Sequence, residues 1–418
     1  MKQVCLLIFV SVLKATGLLA QTSCATAEYY QIAIKADPSL VGKATYARGT
    51  ATSIALDQTT TNGSVSNAAL SIIKIPVVVH VLYNTDAQNI SDDQIKSQIV
   101  ALNQAFRHQH ADTGMVQAMF KSLVADTYIE FELASTTPKG YATSGITRKK
   151  TSNATFGMDD KIKFSSQGGE DGWDSEHYLN IWVGNLVGGV NGYSSVLGGD
   201  KLKDGIVLNI SAFGVGGSAA SPTNKGRTAV HEVGHWLGLK HIWGDYYCGT
   251  DEVDDTPQQS AATRGCASGT VTNTCNGVTN AIMYNNYMDL TYDACTNMFT
   301  IGQRTKMRAL FAEGGLRNKM LQTSALSGST TVEPIQTVSL STSVKLYPNP
   351  TKSQLTIEVS GIDFSSGTIA SIYNTMGQLV QQVTIRSQIT AVNLVATKPG
   401  MYVIKFAKQP NSYKFVVN

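Results

Sequence analysis

After residue 20 the sequence has no apolar run long enough to cross a bilayer as a helix, so no transmembrane segment is expected. Charge is scarce too: 15% of the 418 residues are charged, and the formal net charge is only +3. So small a surplus gives no support to a nucleic-acid or membrane-surface partner. Apolar residues make up 42% of the chain. That share excludes a disordered chain, and the length allows about one to three globular domains. Cysteine is also sparse, with six in the chain.

The N-terminus reads as a signal peptide over residues 1–20. Lys2 gives a positive start, Val4 to Leu13 an apolar run, and Leu18-Leu19-Ala20 a cleavage site ending in a small residue. A membrane anchor is disfavoured because the run is too short and Lys14 interrupts it. A lipoprotein reading is weaker, since Gln21-Thr22-Ser23 before Cys24 is not a small-apolar lipobox. Cys5 leaves with the signal. Cys248, Cys266, Cys275 and Cys295 cluster downstream. In an exported chain they predict two disulfides in one of three connectivities, with Cys24 left over.

Residues 21–70 are rich in Ala, Ser, Thr and Asn and fit a pro-segment better than a core. The stretch Ile75 to Tyr83 is β-branched and continuous, as a buried strand is. Ser91-Asp92-Asp93-Gln94 opens a helix with a capping-box pattern, and Ile95, Ile99, Leu102 and Phe106 follow at helical spacing. Alternation from Tyr128 to Leu133 predicts a half-exposed strand, and Leu179–Val183 and Gly205–Ile210 two more. A helix is expected from about Gly226 to Leu239, and a last one near Ile301 to Glu313. The order suits an α/β (α+β) catalytic domain over residues 71–323, a twisted sheet with a long active-site helix packed on it. Residues 324–343 read as a Ser/Thr-rich linker. Residues 344–418 hold short alternating strands with turn signals at Asn349-Pro350, Gly361, Asn374 and Pro399-Gly400, a small all-β sandwich.

The long helix carries the chemistry. His231 and His235 lie at i and i+4, on one helix face, where both can turn a ring nitrogen to one ion. Gly238 permits a left-handed turn that ends the helix, and the chain can return His241 to the same point. Three neutral imidazoles leave a fourth position for water, as a catalytic zinc needs, whereas structural sites close it with Cys or His. Glu232, beside the first ligand, is the expected base that takes a proton from the attacking water and carries it to the leaving amine. Chance placement on a solvated helix is the bland alternative. Against it, Asn286-Tyr287-Met288-Asp289 supplies the Met-turn that accompanies this histidine motif in metzincins, with Met288 beneath the ligands.

With these residues, His241 to Asp245, Asp251 to Pro257, and Asn286 to Phe299, the chain resembles the pappalysin family of metzincins, in its shorter bacterial form. The resemblance covers roughly residues 75 to 318. It implies a zinc metalloprotease with ligands His231, His235 and His241, base Glu232, and disulfides Cys248–Cys275 and Cys266–Cys295. It implies a structural calcium in the loop of Asp251, Asp254, Asp255 and Thr256, where oxygen ligands suit that ion. It places Asp293 in the pocket for the residue after the cut bond, where a carboxylate selects Arg or Lys; a turn-capping Asp is the plainer reading. Family members often carry a Tyr two residues after the Met. Here Leu290 stands there, which leaves Tyr292 as the candidate for the oxyanion.

The C-terminal unit resembles the sorting domain of type IX secretion cargo, through Leu346-Tyr347-Pro348-Asn349-Pro350, Pro399 to Ile404 and the end Lys414 to Asn418. That implies export across the outer membrane by the type IX machinery, and usually loss of the domain; the rival is an adhesive β-domain that stays. Cys24 is a candidate latency switch, since a thiolate from the pro-segment can fill the open zinc position. If the enzyme activates itself with this preference for Arg or Lys, Arg48 and Lys74 are the expected cut points. The leading function is a secreted endopeptidase acting on extracellular protein. The alternative, a surface binding protein with a dead protease fold, is disfavoured by the intact Glu232.

Overall fold

The computed structural model describes residues 24–45, 47–49, 70–329, 331, 343–360, 368–406 and 412–418. The expected signal peptide lies outside the described residues. The chain divides into two compact units, Met1–Val332 and Glu333–Asn418.

The first unit is built on a six-stranded sheet: β1 (Ile73–Tyr83), β2 (Ile129–Leu133), β3 (Ile146–Lys150), β4 (Leu179–Gly184), β5 (Gly192–Ser194) and β6 (Ile206–Asn209). The order is β2-β1-β4-β6-β5, with β3 pairing further along β1. All neighbours are parallel except β5, which is antiparallel to β6 and forms the edge. Strand β1 is continuous and apolar because both its faces are covered, as parallel strands require. Helices α2 (Asp92–Phe106) and α3 (Arg227–Trp236) pack on one face, where Ile75, Val77, Leu102, Phe106, Val230 and Val233 share a core. The other face gathers Leu82, Trp182, Tyr193 and Val207 with Phe156 and Ile162.

At the start of α2, Ser91 accepts from the Gln94 N–H at 3.2 Å, so half of the expected capping box forms. The Gln94 side chain instead donates to the Phe213 carbonyl at 2.8 Å, a tertiary partner that outbids the local one. The last helix, α4 (Ile301–Ala309), is shorter than expected and carries a full box between Thr300 and Gln303. The start of the expected linker is packed on this unit. Ala325 is fully buried beside Val78 and Tyr178, and its carbonyl accepts from Ser135 and Thr136. The described part of the expected pro-segment includes α1 (Thr26–Ala36), which buries Tyr29.

The second unit is two antiparallel sheets. One holds Ser343–Tyr347, Gln354–Ser360 and Ile389–Asn393; the other holds Leu379–Ile385, Thr368–Asn374, Gly400–Phe406 and Ser412–Val417. Leu355, Ile357, Ile372, Ile404 and Phe415 form its core.

Candidate functional site

Helix α3 is buried along its whole length and packs against α2, β5 and β6. It ends as Gly238 turns left-handed at φ 88°, with the Leu239 N–H returning to the Gly234 carbonyl at 3.0 Å. That turn brings His241 back over the face bearing His231 and His235. The three Nε2 atoms lie 3.1–3.2 Å from one another. Each Nδ1–H is tied off elsewhere: His231 donates to the Tyr287 carbonyl at 2.6 Å, His235 to the Leu239 carbonyl at 2.9 Å, and His241 to the Asp245 carboxylate. Every Nε2 is thereby left as a free lone pair.

These nitrogens fit a metal ion. Bonds of about 2.0–2.1 Å in a tetrahedron set neighbouring nitrogens about 3.3 Å apart. Burial and then the neighbouring His241 push His231 down to about 3, and the same causes push His235 well below its ordinary range, so both imidazoles are neutral. The Cys24 Sγ closes the group, 3.6 Å from His235 Nε2, and all four ligand atoms lie within 4.8 Å of one another. Among the described residues this is the one group of three or more His, Cys, Asp or Glu side chains placed to share an ion.

Glu232 lies next to the cluster and is fully buried. Burial raises its carboxyl to about 7. Its Oε2 accepts from the Thr26 hydroxyl at 2.7 Å, while Oε1 has no partner among the described residues. The N-terminal segment lies along β5: Ala25 N–H donates to the Gly192 carbonyl at 3.0 Å, and Ser194 N–H to Thr26 Oγ1 at 2.9 Å. Met288 sits fully buried under α3, its Sδ 2.5 Å from where a Cβ on Gly234 would stand. Its carbonyl accepts from the Ile242 N–H at 3.1 Å, which ties the turn to the segment carrying His241.

The remaining expected residues divide. Asp293 is buried in a small cavity whose lining also includes His231, Glu232, Thr223 and Leu290. Its Oδ2 accepts from the N–H groups of Lys225 at 2.7 Å and Arg227 at 3.2 Å, and burial raises its carboxyl. Tyr292 is not brought to the site. It is 47% exposed and does not line the cavity that includes Glu232. Asp251 is buried, and Thr256 donates to both its oxygens and lies 2.8 Å from the Val253 carbonyl. Asp255 is directed elsewhere, accepting from Thr300 Oγ1 at 2.6 Å and Gly302 N–H at 2.8 Å at the start of α4. Asp254 makes no side-chain hydrogen bond that joins it to Asp251. Disulfides link Cys248 to Cys275 and Cys266 to Cys295. Lys74 lies inside β1, paired with β2, and is a poor point for a cut.

Sequence reasoning assigned no role to Asp245, Thr26 or Tyr287. Asp245 stands four residues after His241, a spacing that is a signal for a carboxylate orienting a ligand histidine. Tyr287 acts through its carbonyl, which no side-chain pattern reveals.

Two buried histidines and a glutamate on a helix packed on a mixed sheet, joined by a third histidine beyond the helix's terminal glycine turn and set over a methionine turn, define a metalloprotease of the metzincin type. The Pregnancy-associated plasma protein-A family matches residues 163–312, and a secretion system C-terminal sorting domain matches residues 345–418. An extracellular metalloprotease of Arthroderma benhamiae is 30% identical over 260 residues, 60% of this chain and 76% of that protein. One from Pyricularia oryzae is 31% identical over 246 residues, 52% of this chain and 84% of that protein. Mature mirolysin of Tannerella forsythia, solved with a cleaved peptide, is 49% identical with a TM-score of 0.59, covering 61% of this chain and 97% of that one. A mutant of Tannerella forsythia promirolysin is 43% identical with a TM-score of 0.64, covering 72% and 97%. The chain belongs to the Pregnancy-associated plasma protein-A, or pappalysin, family of metallopeptidases. It is a secreted or cell-surface enzyme with a type IX sorting domain.

Proposed function

We propose that this enzyme is a zinc endopeptidase that cuts extracellular proteins before Arg or Lys and is held silent by its own pro-segment. The convergence of three imidazole Nε2 atoms at 3.1–3.2 Å beside a buried, half-partnered Glu232 carries the reading. Zinc bound by His231, His235 and His241 supplies Lewis-acid polarisation of water and of the scissile carbonyl. Glu232 takes the proton of the attacking water and hands it to the departing amine, its Oε1 having no hydrogen-bond partner among the described residues. Asp293 receives the side chain that follows the cut bond. Its burial beside Glu232 supports selection of a guanidinium or ammonium, which such a carboxylate meets with a charge-assisted bond.

Two further roles follow from the same geometry. Cys24 fills the fourth position, where a divalent cation offsets the burial and the Glu232 charge that otherwise push the thiol up. A calcium ion in the Asp251 loop would be held by the Asp251 carboxylate, Thr256 and the Val253 carbonyl, with Asp255 serving α4 instead. The oxyanion role of Tyr292 has no support in its exposed position.

The test is cleavage of a peptide library by the mature protein, beside Glu232→Ala and a chelated control. Cuts before Arg or Lys that vanish in both controls are expected. Cuts before other residues discard the Asp293 pocket, and no cuts by folded, metal-loaded protein discard the enzyme. The Cys24→Ala precursor is expected to be active with its pro-segment attached; a silent one removes the thiol from the account of latency.

A further inference from the structure

The N-terminal segment touches the catalytic unit at a second point, away from the histidines. Tyr29 of α1 is 3% exposed, and its ring stacks on that of Tyr193 with centroids 4.7 Å apart and planes at 28°. Its phenol donates to the Asp160 carboxylate, 2.8 and 3.1 Å from the two oxygens. The Lys163 ammonium, on a completely buried side chain, lies 4.9 Å from the Tyr29 centroid and 5.3 Å from that of Tyr193. Lys163 pairs with one Asp160 oxygen at 3.0 Å and Lys203 with the other at 3.1 Å. Asp160 reaches in from a left-handed backbone, φ 63°, which a non-glycine residue keeps only when its surroundings hold it there. Tyr193 is the middle residue of β5, next to the Ser194 whose N–H holds Thr26.

We propose that Asp160, Lys163 and Tyr193 form a phenol-binding slot, and that Tyr29 seated in it anchors the pro-segment independently of Cys24. The chemistry of the slot selects tyrosine. Stacking and the ammonium contact require a ring, and the carboxylate requires a hydroxyl donor, which phenylalanine lacks. An aliphatic side chain satisfies neither. The inference rests on the reading of this segment as the pro-segment that silences the enzyme. Two attachments on one short stretch act as a chelate: while Tyr29 is seated, a dissociated thiol stays at high local concentration beside the histidines and rebinds. Loss of the slot contact raises the open fraction of the zymogen by the whole worth of that contact.

The test uses two sets of full-length precursors. In the first, all carry Glu232→Ala, so that the segment stays attached, and hydrogen exchange of the α1 amides is followed by mass spectrometry. Tyr29→Phe is expected to speed exchange about tenfold, the loss of one charge-assisted hydrogen bond, and Tyr29→Ala about a hundredfold. Tyr29→Phe is expected to add nothing once the carboxylate is removed in Asp160→Gly, which suits the left-handed backbone, because both remove the same bond. In the second set, with Glu232 intact, both Tyr29 variants shorten the lag before activity appears. Unchanged exchange in Tyr29→Ala, or additive effects of Tyr29→Phe and Asp160→Gly, overturns the slot. A silent Cys24→Ala precursor beside a rapidly activated Tyr29→Ala precursor removes the thiol from the latency reading and leaves the anchor standing.

Discussion

His80 shows how strongly burial governs single residues in this protein. It lies in the middle of β1 with no exposed surface, one ring nitrogen 2.8 Å from Thr147 Oγ1 and the other 3.1 Å from Asn180 Oδ1. Burial pushes it down to about 4, so the folded protein holds it neutral. An unfolded His titrates near 6.5. The folded state therefore binds fewer protons between these values, and its stability is full above about 6.5 and lost as pH falls toward 4. The loss attributable to this residue is about 3 kcal/mol at the acid end. Denaturant melts at pH 7 and pH 4.5 are expected to converge when His80→Gln is introduced; an unchanged pH slope would show that other groups carry it. The same physics keeps His231 and His235 neutral, but their Nε2 atoms, unlike those of His80, face a point shared with His241 Nε2.

Among the elements, α3 is the one whose sequence is most constrained from outside. Gly234 lies in its interior, where Gly→Ala in a solvated helix stabilises by about 1 kcal/mol. Here the added methyl would meet Met288, which is fully buried and has little room to give. Gly234→Ala is therefore expected to destabilise by about 1–3 kcal/mol, read as a lowered Tm, despite the better helix propensity. A raised Tm would mean that the methionine turn yields freely. The helix start of α2 carries the same lesson, since Gln94 abandons the local cap for Phe213 and Ser218. The family resemblance likewise offered Tyr292 as an oxyanion donor, whereas its side chain is 47% exposed.

The whole molecule is two units, each with its own core. Truncation after Val332 is expected to leave the thermal transition and peptide cleavage of the catalytic unit unchanged and to abolish export. Calorimetry of the truncated and full chains checks the first and fractionation of the medium the second. A lowered catalytic transition would show that the units stabilise each other. At this scale the sequence by itself carried the histidine motif with its glutamate, the methionine turn, and strands β1, β2, β4 and β6 of the first unit. These are local patterns, set by periodicity and by spacing along one helix. Only the tertiary structure decided which Nδ1 partners fix the histidines, that Asp245 is one of them, that Asp255 serves α4 rather than Asp251, and that Tyr29 has a slot at all. Each of these joins residues distant in the chain or turns on where one side chain points. Such pairings are set by how the packed elements meet, and no pattern along the sequence encodes them.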